Sequence, residues 1–185
     1  MILLRHGQSA FNAAFTATRC DPGIPDPGLT ELGREQARAA AEALKTVRLA
    51  RVVASPYTRA LETAAIVAAV LDLPVIVNPL VRERRAFSCD IGTPASELAR
   101  RWPDLDFHRL DEIWWPAIEE SEVEIEARAA LFRAEMATLA DWSHTLVVSH
   151  WGFILALTGE RTQNGQLLRC DPTMPAPARV PWLIG

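Results

Sequence analysis

Four side chains in this 185-residue chain stand where short apolar runs stop. Arg5 and His6 follow Ile2-Leu3-Leu4, and Gly7 comes directly after them. Arg59 lies in "SPYTR", behind the run "RVVA", and His150 lies in "SHWG", behind "TLVV". Brought to one place, these cations would repel one another unless an anion lay between them. The planar fork of arginine suits a phosphate better than the point charge of lysine. A histidine held among arginines gives up its proton readily. Neutral imidazole against a phosphoryl group is a nucleophile. A second histidine beside it can hydrogen-bond to the transferring oxygens and stabilise the charge they develop. Gly7, lacking a side chain, lets the backbone come close to a ligand. The residues describe a phosphate cradle with two histidines inside it.

Such a cradle needs elements that deliver its parts to one edge. Ile2 to Leu4, Arg51 to Ala54, "PVIV" ending at Val77, Thr145 to Val148 and Gln166 to Arg169 are the strand candidates. Thr30 to Val47 carries Leu32, Ala40, Leu44 and Val47 at helical spacing, and Glu120 to Leu139 reads as another helix. In "SPYTRALETAAIVAAVLD", Ser55 is a natural N-cap and Pro56 suits the first helical position. "GFILALTG" reads as a short helix closed by Gly159. Strands that alternate with helices, without hairpin signals, predict an α/β fold: a three-layer α/β/α sandwich around a mostly parallel sheet. Sites in such sheets gather beyond the carboxyl ends of the strands. The segments "RHG", "SPYTR" and "SHWG" all fall there. Helix N-termini near Pro56 and Gly152 would aim backbone N–H groups at the same spot.

The length suits one domain over residues 1–185, and the composition is that of an ordinary globular chain. A net charge of −4 argues against non-specific nucleic-acid binding. Met1 to Leu4 is too short for a signal-peptide core, and the longest apolar stretch, Ala60 to Val77, is interrupted by Glu62, Asp72 and Pro74. No membrane association is expected. Cys20, Cys89 and Cys170 are scattered and odd in number, which points to reduced thiols and a cytoplasmic protein. No metal-ligand spacing is present, so neither a metal nor another cofactor is expected, and His108 and His144 are read as structural or surface residues. The proline-rich stretch from Asp171 onward predicts an irregular surface tail over 171–185.

Five pieces in order, "RHGQSAFN", "PGLTELGREQA", "SPYTRALETA", "VRER" and "VVSHWGF", resemble the histidine phosphatase superfamily, the group that includes cofactor-dependent phosphoglycerate mutase. The resemblance runs from Ile2 to about Pro172. It implies a phosphoglycerate mutase-like fold and a metal-independent phosphatase that hydrolyses a small phosphomonoester through a phosphohistidine. His6 would carry the phosphoryl group, with Arg5, Arg59 and His150 completing the pocket and Ser9 and Asn12 helping to hold its oxygens. Glu83 stands at the position of the family's glutamate acid/base, so it would protonate the leaving alkoxide and then activate water. Another branch places an aspartate directly after the second histidine. Trp151 occupies that position here, which excludes that variant and adds a large apolar wall beside the phosphate. The mutases carry a tyrosine shortly after the glutamate. This chain reads "RRAFSCDIG" there, and its one tyrosine is Tyr57, which favours hydrolysis over a phosphoglycerate-type mutase. A phospholigand-binding module without turnover is the third reading. The segment "EES" before the helix containing Arg128 also resembles a family segment.

Around this constellation, alternatives stay open. Asp90 and Glu120 are the substitute acids should Glu83 be a solvated surface residue. Arg84 and Arg85 either meet a second anionic group of the substrate or form an exposed pair. Trp114 and Trp115 either line a substrate mouth or pack. The insertion from Val81 to Glu120 is expected to form a lid that determines the substrate. Neither the substrate nor the oligomeric state is legible.

Overall fold

The structure, a computed structural model, describes residues 1–182. Five strands form one sheet: β1 (Ile2–Arg5), β2 (Arg51–Ala54), β3 (Val75–Val77), β4 (Thr145–Ser149) and β5 (Leu167–Arg169). Their spatial order is β3-β2-β4-β1-β5, with every pairing parallel except β1 with β5. In register, Arg5 lies opposite Ser149 and Ala54 opposite Val148, so the chain leaves β1, β2 and β4 at one edge.

Alternation along the buried strands sends successive side chains to opposite faces. Ile2, Leu4, Val52, Ala54, Leu146 and Val148 face a core shared with α2 (Glu31–Leu44) and α3 (Thr58–Leu71). Leu3, Val53 and Val147 face the other way, onto Ile125 and Phe132 of α5 (Glu122–Ala137) and Phe153 and Ile154 of α6 (Trp151–Thr158). Two cores with a sheet between them are the three layers expected.

The local signals hold at several ends. Thr30 caps α2, accepting from the Gly33 N–H, and Gly159 closes α6 in the left-handed region at φ 77°. Two differ. A helix not anticipated, α1 (Ala10–Thr18), follows the first motif and starts on a capping box made by Ser9 and Asn12. In addition, α3 begins at Thr58, and Ser55 does not cap it. Its first turn is held from outside, by Asp26 accepting from the Thr58 backbone N–H at 2.8 Å and from its hydroxyl at 2.7 Å. A 3-10 turn (Pro79–Val81) leads into residues 81–120, which contain one further 3-10 turn (Ser88–Asp90) and one short helix, α4 (Ala95–Arg101). Trp114 resolves to packing: it is buried edge-on to Tyr57 and donates from its ring nitrogen to the Thr93 carbonyl at 2.8 Å. The tail is irregular up to residue 182, although Trp182 packs near Trp151 and donates to Glu126 at 2.7 Å.

Candidate active site

At the carboxyl edge, the end of β1 delivers Arg5 and His6, the end of β2 and the first turn of α3 deliver Ser55 and Arg59, and the end of β4 delivers His150. The two imidazole centroids lie 5.0 Å apart, and both rings are buried. The His6 Nδ1 is 2.7 Å from the Gly7 carbonyl oxygen. A carbonyl only accepts, so Nδ1 carries the proton and Nε2 presents its lone pair. Burial, then the positive charges of Arg59 and Arg5, holds His6 well below the usual histidine range. His6 is therefore a neutral, oriented imidazole at neutral pH.

His150 is arranged differently. Its Nε2 lies 2.7 Å from the Ser55 hydroxyl, which also accepts from the Tyr57 backbone N–H at 3.4 Å. The Ser55 hydroxyl can donate to Nε2, an arrangement that places the His150 proton on Nδ1, a buried atom without a partner among the described residues. Burial, followed by the charges of Arg59, His6 and Arg5, holds this histidine well below its ordinary range too. The role of Ser55 was missed because Ser-Pro reads so well as a helix start.

Arg59 is buried and bound on one side only: Nη1 donates to the Cys89 carbonyl at 2.7 Å, and Nη2 pairs with Asp90 at 3.0 Å. Burial works against its charge, but Asp90 and the neighbouring groups prevail and raise its pKa. Arg5 donates to the Thr162 carbonyl at 2.6 Å, and its Nε is buried without a partner among the described residues. Burial lowers Arg5 to about 10, with Glu83 pulling it up and Arg59 pushing it down, so it remains a cation at neutral pH.

Glu83 follows a 3-10 turn after β3 and accepts three backbone N–H groups: Arg84 at 2.8 Å, Gly152 at 3.1 Å and Phe153 at 3.2 Å. Two of these are the free amides at the start of α6. Gly152 makes the seat possible, since a Cβ there would lie 2.5 Å from a Glu83 carboxyl oxygen. Burial and the negative charge of Asp90 raise the Glu83 pKa, and the amides oppose the rise. The carboxyl is thus fixed in place and inclined to hold a proton.

These contacts revise several details. Both helix N-termini expected to face the phosphate are engaged by the protein itself, α6 by Glu83 and α3 by Asp26. The cradle is made of side chains. Protein approaches Gly7 closely: a Cβ there would lie 2.2 Å from the Gly33 carbonyl oxygen, so the glycine lets the loop after β1 touch α2. Ser9 and Asn12 bond each other, and the Asn12 Oδ1 also accepts from Asn164 at 3.1 Å. Arg84 reaches the Glu120 carbonyl, Glu119 and Glu122 and lies over Trp182 at 5.3 Å. Asp90 and Glu120 each sit in a buried ion pair, the second with Arg128. Trp151 is half-buried against Trp182, with ring centroids 6.4 Å apart. Tyr57 is buried, and its hydroxyl donates to the Asp90 carbonyl at 2.7 Å.

A crowded, two-histidine, two-arginine pocket with a buried glutamate at the carboxyl edge of such a sheet defines a class. The chain belongs to the histidine phosphatase superfamily (branch 1), whose family model matches residues 1–171. It is 32% identical over 173 residues to a glucosyl-3-phosphoglycerate phosphatase of Mycolicibacterium vanbaalenii, covering 85% of this chain and 72% of that one. It is also 38% identical to a probable phosphoglycerate mutase of Photorhabdus laumondii, covering 98% and 86%. Among solved structures, a mycobacterial glucosyl-3-phosphoglycerate phosphatase in complex with VO3 superposes with a TM-score of 0.59 at 30% identity, covering 85% of this chain and 77% of that one. The activity that follows is that of a histidine-phosphatase-type phosphomonoester hydrolase. No helix among the described residues is long and apolar enough to cross a membrane.

Proposed function

We propose that the hydrolase works by covalent transfer to His6, without a metal ion. The His6 Nε2 attacks phosphorus, a P–N bond forms, and the bond from phosphorus to the leaving oxygen breaks. Glu83 gives its proton to that oxygen, and the alcohol departs. Glu83, now a carboxylate, takes a proton from a water molecule as the water attacks phosphorus. The P–N bond breaks, inorganic phosphate leaves, and both side chains return to their starting states. Arg5 and Arg59 hold the equatorial oxygens, and the Nδ1–H of His150 donates to the same group where its negative charge concentrates. Asn12 and Ser9 support the pocket from the start of α1.

The observation that carries this reading is the His6 ring, with Nδ1 bonded to the Gly7 carbonyl and a depressed pKa that keeps Nε2 available. A cavity of about 180 Å³ is lined by Asp21, Arg85, Phe87, Ser88 and Glu119, in or facing the 81–120 segment, and shares no lining residue with the two-histidine pocket. A phosphorylated sugar acid is the first candidate substrate, since relatives named above are glucosyl-3-phosphoglycerate phosphatases. The free thiols Cys20, Cys89 and Cys170 support a cytoplasmic setting.

Hydrolysis of p-nitrophenyl phosphate in the presence of a chelator tests the route. Turnover in the unaltered enzyme and none in His6→Ala is expected. Inhibition by the chelator, or turnover surviving His6→Ala, would refute it. Phosphate moved between positions of a phosphoglycerate without release of free phosphate would assign a mutase instead.

A further inference from the structure

We propose that Arg128 is a positioning residue for Glu83: it fixes the main chain that carries the acid and leaves the phosphate pocket alone. The proposal rests on the assignment of Glu83 above. Arg128 projects from α5, on the layer opposite α3, and its guanidinium is buried. Nη1 donates to the Leu80 carbonyl at 2.7 Å and the Arg82 carbonyl at 2.8 Å, and Nη2 reaches the Glu83 carbonyl at 3.4 Å. Three carbonyls of the four-residue strip 80–83 are thereby pinned by one side chain. Its remaining donors go to Glu120, Nε to Oε1 at 2.8 Å and Nη2 to Oε2 at 2.5 Å. Glu120 also pairs with Arg82 at 3.2 Å, which ties the strip a second time.

Phe153 closes the loop. Its ring carries the Arg128 guanidinium 5.4 Å from the centroid, while its backbone N–H donates to the Glu83 carboxyl at 3.2 Å. One residue of α6 thus holds the acid by its main chain and the clamp by its side chain. A proton donor acts through geometry, and a displacement of about 1 Å costs on the order of a hundredfold in rate. Every donor of the guanidinium is used on main chain or on Glu120, so none is left for substrate.

Arg128→Lys keeps a cation beside Glu120 but lacks the fork needed to hold several carbonyls. The test compares an alkyl substrate, glycerol phosphate, whose leaving oxygen needs a proton, with p-nitrophenyl phosphate, whose leaving oxygen needs little help. In Arg128→Lys, kcat/KM on glycerol phosphate should fall about tenfold or more and on p-nitrophenyl phosphate less than about threefold, with inhibition by inorganic phosphate within about twofold of the unaltered enzyme. Glu83→Gln should show the same split, larger, and the double variant should lose nothing further on glycerol phosphate. Phe153→Leu retains the N–H and removes the ring; it should give a smaller split in the same direction, and it decides the matter should Arg128→Lys fail to fold. Equal loss on the two substrates, or no loss, overturns the proposal. A split in Glu83→Gln without one in the Arg128 and Phe153 variants leaves the acid assignment standing and removes the clamp. No split in Glu83→Gln removes both.

Discussion

Arg59 pairs with Asp90 near the start of the 81–120 segment, and Arg128 pairs with Glu120 at its end; all four side chains are buried. In the first pair the carboxylate is saturated. Asp90 accepts from the Ala86 and Phe87 backbone N–H groups at 3.0 Å as well as from Arg59, so the loop grips the acid and the acid grips the arginine. The guanidinium, bonded on one side to Cys89 and Asp90, keeps donors for an anion. In the second pair the guanidinium itself is saturated by carbonyls and carboxylate. On the proposed assignments the same ion pair does two jobs: one holds a charge at the pocket, the other holds main chain behind Glu83. Burial alone does not make an arginine functional. What matters is which of its donors remain.

The largest effect that would sharpen this contrast is on Arg59. Arg59→Met should cut kcat/KM by about 10²–10³, since it removes a preorganised cation from the developing phosphoryl charge, and it should weaken phosphate inhibition in parallel. Retention of phosphate inhibition in that variant would break the comparison. Glu120→Gln should instead cost about 3–5 kcal/mol of stability, because buried Arg128 and half-buried Arg82 lose their shared counter-charge, while phosphate inhibition is unchanged; chemical denaturation reads the first and kinetics the second.

Next in size is the pH dependence. His6 and His150 have folded pKa values below the ordinary 6.5, so the unfolded chain binds more protons than the folded one as pH falls below about 6.5. Stability should fall there by up to about 1.4 kcal/mol per pH unit for each histidine. Glu83 acts in the opposite sense: its folded pKa lies above 4.5, so it adds stability at low pH that is lost as pH rises through its folded value. Thermal unfolding between pH 5 and 7 should show the net histidine slope, and His150→Gln should roughly halve it. An unchanged slope would remove His150 from the account. The same two signs predict a bell-shaped rate profile on an alkyl phosphate, with its acid limb from His6 and its basic limb from Glu83, and a flat profile would contradict both roles.

The smallest expected effect concerns the contact beneath the pocket. Gly7→Ala should destabilise by about 1–3 kcal/mol, as its Cβ would sit 2.2 Å from the Gly33 carbonyl oxygen and force α2 away from the loop after β1. Denaturant midpoints measure this, and an unchanged midpoint would show that the interface yields at no cost.

Much of this molecule was legible in its residues because strand ends and helix caps are local. Apolar runs of three to five residues ending at Arg5, Ser55 and Ser149 are enough to order a parallel sheet, and the parallel sheet is enough to bring Arg5, His6, Arg59 and His150 to one edge. Glu83, singled out by its motif, lies buried against the start of α6. Two positions show one residue type serving a purpose that sequence does not reveal. Ser55 looks like a cap and instead bonds His150, while the missing side chain of Gly7 makes room for Gly33. Neither partner lies within reach along the chain: His150 is 95 residues from Ser55. The sequence by itself determined the layers, the sheet and the identity of the charged groups, since those follow from periodicity and side-chain chemistry within a few residues. Tertiary structure alone decided which nitrogen of each histidine is free, which arginine keeps its donors, and that the start of α6 holds Glu83 and not a phosphate. Each of those is a hydrogen bond between segments far apart in the chain, and spacing in sequence carries no trace of it.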